Sequence, residues 1–173
     1  MRFDGDAYRA HHPGWAFSPL SGAGAAIHGG RFNEKGTSAL YLSLTLDGAV
    51  AEASQGFAFK MEPLTLCLYR VDCDDIVDLR DDDLRREGGV RLDDLTCAWF
   101  LDAKEGRPVA SWTIARRLQK DGAAGILVPS FARGAKRDAV NLVLWRWGPD
   151  LPHRVSVHDP SGRLPADQLS WKR

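Results

Sequence analysis

Three side chains that can carry out chemistry occur close together near the start of the chain: an arginine, a tyrosine and a glutamate. The arginine, Arg31, follows Gly29 and Gly30. A guanidinium group can bind phosphate through two parallel hydrogen bonds, and glycine-rich turns expose backbone N–H groups that form anion-binding nests. The pattern predicts a phosphate or pyrophosphate site. A turn followed by a surface arginine is the alternative that these residues leave open.

The tyrosine and the glutamate fit a flat, sugar-containing ligand. Tyr41 lies in the apolar run Ala39–Ser43, where its ring can stack on a ligand while its hydroxyl stays near the mouth of a cleft. Glu52 lies among small residues, where its carboxylate can stabilise a developing sugar cation or take a proton from a nucleophile. The structural alternatives are a half-buried sheet tyrosine and a solvated helix glutamate.

A fourth candidate, Ser130, follows Pro129 at the end of a buried strand, where ligand-contacting side chains commonly emerge. No G-x-S-x-G motif surrounds it, so a catalytic serine triad is disfavoured, and a turn-forming serine is the alternative. The five histidines have no metal-binding spacing, and the three cysteines have no C-x-x-C spacing. These patterns predict neither a metal site nor a disulfide framework.

A short strand and a helix must position this group. Ala39–Ser43 predicts the strand, and Thr45 or Asp47 is suited to cap the helix that follows. An apolar stripe predicts the helix face that meets the core: Leu46, Val50, Ala53 and Phe57. Glu52 points away from this stripe.

Two glycines, Gly48 and Gly56, flank Glu52 on its own face of the predicted helix. Glycine inside a helix costs about 1 kcal/mol relative to alanine. Their presence indicates a close approach at that face, either by a ligand or by a neighbouring strand.

The rest of the chain predicts a single domain over residues 1–173 with a mixed, mainly antiparallel α+β sheet. Residues 1–28 are rich in turn-forming residues and predict loops with little helix. A helix is predicted over Val109–Asp121. Further strands are predicted over Leu64–Val71, Ile76–Leu79, Gly125–Pro129, Asn141–Trp147 and Arg154–His158.

Composition narrows the function. The chain has 23 basic and 23 acidic residues, and this zero net charge disfavours a general nucleic-acid binder. No run of about 18 apolar residues is present, so we expect no membrane span. The N-terminus has no apolar signal region, and the cysteine pattern is typical of a reducing compartment. We therefore expect a cytoplasmic protein.

Taken together, these pieces resemble the RES domain, a family named for an arginine, a glutamate and a serine. The resemblance extends from Tyr8-Arg9 to about Trp147. It includes Trp15, Gly22–Ala25, Gly29–Asn33, Gly36, Ala39–Ser43, Ala49–Glu52, Gly125–Ser130 and Asn141–Leu144. It implies the toxin of a bacterial type II toxin–antitoxin pair, similar to the ParT subgroup.

The resemblance implies a fold like that of diphtheria-toxin-type ADP-ribosyltransferases, with NAD as the substrate. The catalytic residues that it implies are Glu52, Arg31, Tyr41 and Ser130. The NAD-binding residues that it implies are Arg9, Gly30, Arg31, Tyr41, Ser43 and Ser130. In these roles Glu52 would stabilise the oxocarbenium-like ribose, Tyr41 would stack on the nicotinamide, and Arg31 would hold the ribose–phosphate portion. Ser130 would donate a hydrogen bond near Glu52 or the ribose.

The resemblance leaves the acceptor of ADP-ribose open. Some family members transfer it to a protein, and we expect this activity, with a cellular protein as the target. Others split NAD with water or phosphate, which makes an NAD glycohydrolase or phosphorylase the alternative. A non-catalytic RNA-binding toxin that uses the basic segment Lys104–Arg137 is a more remote alternative, whose binding would weaken steeply with salt.

The resemblance also implies an antitoxin that carries an Xre-like DNA-binding region. We expect this partner to cover the NAD cleft with a segment that opposes Arg9 and Arg31. The acidic segment Asp72–Asp94 and the basic segment Lys104–Arg137 would suit a partner surface of complementary charge, although solvated faces are the alternative.

Overall fold

A seven-stranded sheet forms the centre of the computed structural model, which describes residues 1–54 and 62–169. The strand order is β4-β5-β6-β2-β1-β3-β7. β4 and β5 pair in parallel, and the other neighbouring strands pair antiparallel. The strands are β1 (Phe3–His11), β2 (Leu40–Ser43), β3 (Thr65–Cys73), β4 (Ile76–Asp78), β5 (Gly125–Pro129), β6 (Val140–Leu144) and β7 (His153–Val157). The predicted mixed, mainly antiparallel α+β fold is confirmed.

Short helices connect the strands. They are α1 (Ala23–His28), α2 (Leu46–Ser54), α3 (Asp82–Glu87), α4 (Leu92–Thr96), α5 (Trp99–Lys104) and α6 (Ala110–Lys120), with a 3-10 turn at Pro13–Trp15. In the parts of the chain that the structure describes, no helix has the length and hydropathy that a membrane span requires. The prediction of a cytoplasmic location stays a prediction.

The predicted strands and the predicted α6 are confirmed with small shifts at their ends. β5 has the predicted bounds, β3 continues to Cys73, and β6 ends at Leu144 instead of Trp147. These segments combine apolar runs with flanking glycine or proline, a pattern that is typical of buried strands. These strands are buried against the layers on both faces of the sheet, which explains why their apolar runs identified them.

The prediction that residues 1–28 are loop-rich is wrong, because they contain β1, α1 and the 3-10 turn. β1 includes Asp4, Gly5 and Asp6, which are residue types depleted in strands. The strand forms because it pairs along its whole length with β3. Its exposed aspartates form ion pairs with Arg70 of that neighbour.

The sheet consists of two halves that meet at one residue pair. β1 pairs with β2 only at Tyr8 and Ser43, whereas β2 pairs with β6 along Leu40–Ser43. We call this junction between β1 and β2 the seam. Helix α2 contacts strands on both sides of it.

Two apolar layers cover the two faces of the sheet. On the first face, Leu20, Trp147 and Leu164 pack against buried residues such as Tyr69 and Leu142. On the second face, helices α4 and α6 contribute buried residues to the layer: Leu95, Ile114, Ala115 and Leu118. The partly buried Tyr41 also packs in this second layer.

Helix α2 packs on the sheet through small residues, and the predicted apolar stripe is wrong. Gly48 and Ala49 are buried, whereas Leu46 is 49% exposed and Ala53 is exposed. A side chain at Gly48 would collide with the Ser43 hydroxyl, so the neighbouring strand explains this glycine. Phe57 and Gly56 lie outside the described residues. The face that carries Glu52 therefore lies against the protein.

The acidic segment is folded, and most of its charged side chains are exposed, as the solvated-face alternative predicts. Asp72 is buried between Arg2 and Arg154, which both form ion pairs with it. Asp81 caps α3 through the backbone N–H groups of Asp83 and Leu84. Each arginine of the segment forms an ion pair with an aspartate of the same segment: Arg80, Arg85, Arg86 and Arg91. These pairs reduce the charge that the segment can offer to a partner.

Candidate functional site

A cleft of about 690 Å³ opens on the second face of the sheet. Its lining residues include Arg31, Tyr41, Glu52, Trp99, Phe100, Phe131, Arg133 and Asn141. A smaller compartment of about 210 Å³ lies towards β1 and is lined by Tyr8, Arg9, Ser43 and Ala53 among others. Tyr41, Glu52 and Asn141 line both spaces. The cleft therefore brings together candidates from three separate parts of the chain.

Glu52 of α2 is held at one carboxylate oxygen. The Ser130 hydroxyl donates to its Oε1 at 2.6 Å, and the Asn141 side-chain amide donates to the same oxygen. The second oxygen, Oε2, accepts no hydrogen bond from the described residues. Because only one oxygen is engaged, the carboxylate is both oriented and able to contact a ligand.

Arg31 is also held by the protein. Its Nη1 donates to the carbonyl oxygens of Leu95 at 3.0 Å and Cys97 at 2.8 Å. The guanidinium carbon lies 5.0 Å from the centre of the Phe131 ring, a cation–π distance. Burial lowers the pKa of Arg31, and the nearby Cys97 and Glu52 oppose that shift. Nε and Nη2 donate no hydrogen bond within the described residues.

The loop that carries Arg31 is fixed by donors from distant elements. Trp112 Nε1 donates to the Gly30 carbonyl at 2.7 Å, and Ser111 Oγ donates to the Arg31 carbonyl at 2.5 Å. The Phe32 carbonyl accepts a bond of 2.9 Å from Trp145 Nε1. Three consecutive carbonyls thus have side-chain partners, so the backbone at Arg31 is set before any ligand arrives.

Tyr41 contributes its hydroxyl to the same loop. The hydroxyl accepts from the Phe32 N–H at 3.0 Å and donates to Asn33 Oδ1 at 2.7 Å. Burial raises the pKa of Tyr41, and the hydrogen bond from Phe32 opposes that shift. The prediction of a hydroxyl near the mouth of the cleft is therefore wrong, although the ring still lines both spaces.

The glycines before Arg31 serve this packing, and the predicted anion nest is wrong. The N–H groups of Gly29, Gly30 and Asn33 already donate to backbone carbonyls. A side chain at Gly30 would lie 2.5 Å from the Tyr41 hydroxyl. The close approach that the glycine allows is thus made by Tyr41, and a contact between Gly30 and a ligand stays a prediction.

The remaining predicted residues differ in position. Ser130 reaches Glu52 as described, and Ser43 is buried and lines the smaller compartment. Arg9 lines the same compartment beside Tyr8, which pairs with Ser43. Nη1 of Arg9 donates to the carbonyls of Pro19 and Ser21. A contact between Arg9 and NAD stays a prediction.

Sequence reasoning missed Asn141 and the aromatic wall of the cleft. Asn141 is the one polar residue of β6, and this lone polar residue was the signal that could have identified it. Trp99 and Phe100 of α5 and Phe131 line the cleft, and Phe100 is 67% exposed. The sequence around these aromatic residues does not indicate the cleft. The position of Trp99 and Phe100 depends on how α5 packs.

Metal ligands do not cluster in the described residues: no group of three or more His, Cys, Asp or Glu side chains is arranged to hold a metal ion. All three cysteines are free thiols, and Cys67 and Cys73 are buried. The groups that the cleft offers to a ligand are carboxylate, guanidinium, amide and aromatic side chains.

The fold and the cleft define an α+β domain in which a carboxylate and a guanidinium face a common aromatic-lined space. The chain belongs to the RES domain family, whose model matches residues 6–167. The ParT subgroup stays a prediction.

A solved structure has a similar fold: the M. tuberculosis MbcT–MbcA toxin–antitoxin complex, in which one chain matches with a TM-score of 0.58 at 19% sequence identity. The match covers 92% of this chain and 84% of that chain. A comparison with curated proteins finds no match.

Proposed function

We propose that this protein is the toxin of a bacterial toxin–antitoxin pair and that it cleaves the nicotinamide–ribose bond of NAD. We propose further that it transfers the ADP-ribose to a cellular protein. The proposal is supported by membership of the RES domain family, by the fold similarity to a chain of a toxin–antitoxin complex, and by the groups that line the cleft.

The observation that carries the proposal is the state of Glu52. Two donors hold its Oε1, and Oε2 has no partner among the described residues. Nicotinamide leaves NAD as a neutral molecule without protonation, so one carboxylate can suffice where glycosidases typically use two. A fixed negative charge beside the ribose stabilises the oxocarbenium-like transition state. Glu52 meets this requirement without a second acidic group.

Arg31 and the aromatic residues supply the binding groups. Nη1 of Arg31 is bonded to two carbonyls, so Nε and Nη2 are the nitrogens that would contact a phosphate oxygen. The rings of Trp99 and Phe131 offer apolar surfaces for the flat nicotinamide or adenine groups. The cleft volume of about 690 Å³ is typical of small-molecule sites, which range over roughly 300–1,000 Å³.

The proposal of a protein acceptor is supported by the mouth of the cleft. Phe100 and Leu101 are 67% and 47% exposed, and Phe100 lines the cleft directly. Exposed apolar residues beside a reactive centre are typical of a protein-binding surface. Transfer to water or phosphate would use the same bond-breaking groups, so it is the alternative outcome of the experiment.

The experiment is an incubation of the purified protein with NAD, with and without cell lysate. Release of free nicotinamide tests cleavage, and NAD labelled in its ADP-ribose portion tests transfer. A labelled protein band that appears only with lysate is the expected result. Nicotinamide release without any labelled band would indicate hydrolysis, or phosphorolysis if it requires phosphate. No nicotinamide under either condition would contradict the proposed function.

We also propose that the partner is an antitoxin with an Xre-like region, which inserts a segment into the cleft. The exposed mouth and the cations Arg31 and Arg133 would suit a segment with apolar and acidic groups. Co-purification with the neighbouring gene product, followed by an NAD assay, tests this proposal. The complex should turn over NAD far more slowly than the free protein. Full activity in a stable complex would contradict coverage of the cleft.

A further inference from the structure

The two asparagines of the chain have opposite hydrogen-bonding states. Asn33 is 2% exposed and fully bonded: its Nδ2 donates to Ala25, Glu34 and Thr37 carbonyls, and its Oδ1 accepts from Tyr41. Asn141 donates to Glu52 through Nδ2, but its Oδ1 is buried with no partner among residues 1–54 and 62–169. A buried acceptor without a partner destabilises a fold, so such a group requires an explanation.

The chemistry of Glu52 fixes the orientation of the Asn141 amide. An ionised carboxylate can only accept hydrogen bonds, so the amide must present its N–H to Oε1 and turn Oδ1 away. The backbone of Asn141 is equally fixed, because it pairs with Ser43 of β2 on one side and with Val128 of β5 on the other. The donor therefore has a set position and a set direction.

The second donor to the same oxygen is less constrained. The Ser130 hydroxyl follows the end of β5, can rotate about its own bond, and also accepts from the Ala132 N–H at 3.3 Å. A rotating hydroxyl can remain bonded to a carboxylate that turns, whereas a planar amide anchored in the centre of the sheet cannot. Asn141 is thus the group that defines the plane of the Glu52 carboxylate.

We propose that Asn141 is the positioning residue of Glu52: its amide locks Oε1 so that Oε2 stays directed at the substrate. This inference rests on the proposed function, in which Glu52 stabilises the ribose cation. It also explains the unpartnered Oδ1, because an amide is required for its N–H even though its oxygen has no partner. At metal sites, removing a partner that orients a ligating side chain costs roughly 10- to 100-fold in affinity or activity, and we expect an effect of the same order for the oriented carboxylate of Glu52.

The decisive variant is Asn141→Leu, which removes the donor and the unpartnered acceptor together. We expect kcat for NAD cleavage to fall roughly 10- to 100-fold with little change in KM. The melting temperature should stay the same or rise, because the unpartnered Asn141 oxygen is removed while Glu52 Oε1 keeps its bond from Ser130. Asn33→Leu is the matched control, and it should lower the melting temperature because it breaks four bonds.

A second variant, Asn141→Asp, adds a measurement that would not change if Asn141 had only a structural role: the pH profile of kcat. Asn141→Asp places a carboxylate against Glu52. The other charged or titratable side chains that line the same spaces are Tyr8, Arg9, Arg31, Tyr41 and Arg133. Adjacent carboxylates disfavour double ionisation, so the acidic limb of the kcat profile should move to higher pH. Wild-type kcat in Asn141→Leu, or a loss of stability as large as in Asn33→Leu, would overturn the proposal.

An NMR measurement keeps the inference separate from the proposed function. Because the chain has two asparagines, asparagine-selective ¹⁵N labelling gives two pairs of side-chain NH2 signals, which Asn141→Leu assigns. The Asn141 signal should shift strongly in Glu52→Leu, while the Asn33 signal should not. An unshifted signal would overturn the contact itself. A shifted signal in a protein that releases no nicotinamide would support the contact and contradict the proposed function.

Discussion

The two walls of the cleft are built in different ways. The Arg31 wall is a backbone loop whose carbonyls accept bonds from Trp112, Ser111 and Trp145. The Glu52 wall is one side chain held at one oxygen by two others. The Arg31 wall is part of the packed core, whereas the Glu52 wall depends only on the orientation of one side chain. Removing a contact that fixes the Arg31 loop should therefore appear mainly in stability, whereas changing the Glu52 or Arg31 side chain itself should appear mainly in rate.

The largest expected effect is on the Glu52 wall. In Glu52→Gln, the amide oxygen can still accept from Ser130 and Asn141, so the fold is retained while the negative charge is lost. We expect kcat for NAD cleavage to fall on the order of 100- to 1,000-fold, with an unchanged melting temperature. Nicotinamide release and thermal denaturation measure the two quantities. A folded variant with nearly wild-type NAD turnover would remove Glu52 from the mechanism.

Arg31→Lys tests the Arg31 wall, which faces Glu52 across the cleft. Lysine has all of its donors on one nitrogen, so it cannot bond both carbonyls and also offer a planar fork to a phosphate. Hydrogen bonds to charged groups contribute about 1.5–3 kcal/mol, which corresponds to roughly 10- to 100-fold in kcat/KM. Arg91→Lys, at an exposed ion pair, is the control. If Arg31→Lys matched the wild type in affinity and turnover, Arg31 would be only a surface charge.

Tyr41→Phe should separate the hydroxyl from the ring. It leaves the Phe32 N–H and Asn33 Oδ1 without partners, so we expect a loss of about 1–3 kcal/mol in unfolding free energy. Turnover by the folded variant should fall less than in Tyr41→Ala, because stacking requires the ring. Tyr8→Phe is a stability control, since its hydroxyl has no bond to the described residues. The reverse order of the two Tyr41 variants would show that the hydroxyl matters more.

Ser111→Ala should have a smaller effect on the same wall. It removes the donor to the Arg31 carbonyl and the acceptor of a weak bond from the Cys97 thiol, where Tyr41→Phe removes two bonds to amide groups. We expect a loss of about 1–2 kcal/mol in unfolding free energy and unchanged kcat below the melting transition. Urea denaturation and initial rates measure these quantities. A large loss of kcat with no loss of stability would contradict the view that the contacts fixing the Arg31 loop act mainly on stability.

The smallest effect is expected at Leu46 on α2. Because Leu46 is 49% exposed, Leu46→Gln should change the unfolding free energy by no more than about 0.5 kcal/mol. If the apolar stripe of α2 faced the core, the same change would destabilise the protein by well over that amount. Thermal denaturation decides between these two orientations of the helix that carries Glu52.

The sequence predicts where the helices and strands lie better than it predicts which face of each one is buried. Gly125–Pro129 and the α6 region have apolar patterns strong enough to identify them, because each is buried against a complete layer. On α2 the pattern pointed to Leu46, but Gly48 and Ala49 are buried instead. Small residues add little to an apolar pattern, yet they allow the closest packing, so the buried face could not be inferred from hydropathy.

The site residues that could be predicted from the sequence are those whose side-chain chemistry points to a role. Arg31, Glu52 and Ser130 do meet at the cleft or at its wall. The contacts that fix them come from far along the chain, since Ser111 and Trp145 act on the carbonyls of residues 31 and 32. Local sequence has no information about such pairings. The same reason explains why Asn141 and α5 were missed.

The seam has a consequence for how the protein loses function on heating. One residue pair joins β1 to β2, and helix α2, which carries Glu52, contacts strands on both sides. Segments with few stabilising contacts open at lower free energy than a packed core. We expect separation at the seam to displace α2 while both halves of the sheet stay folded. Heat inactivation should then precede the loss of circular dichroism, and backbone amides around Ser43 should exchange with solvent before those of β5 and β6.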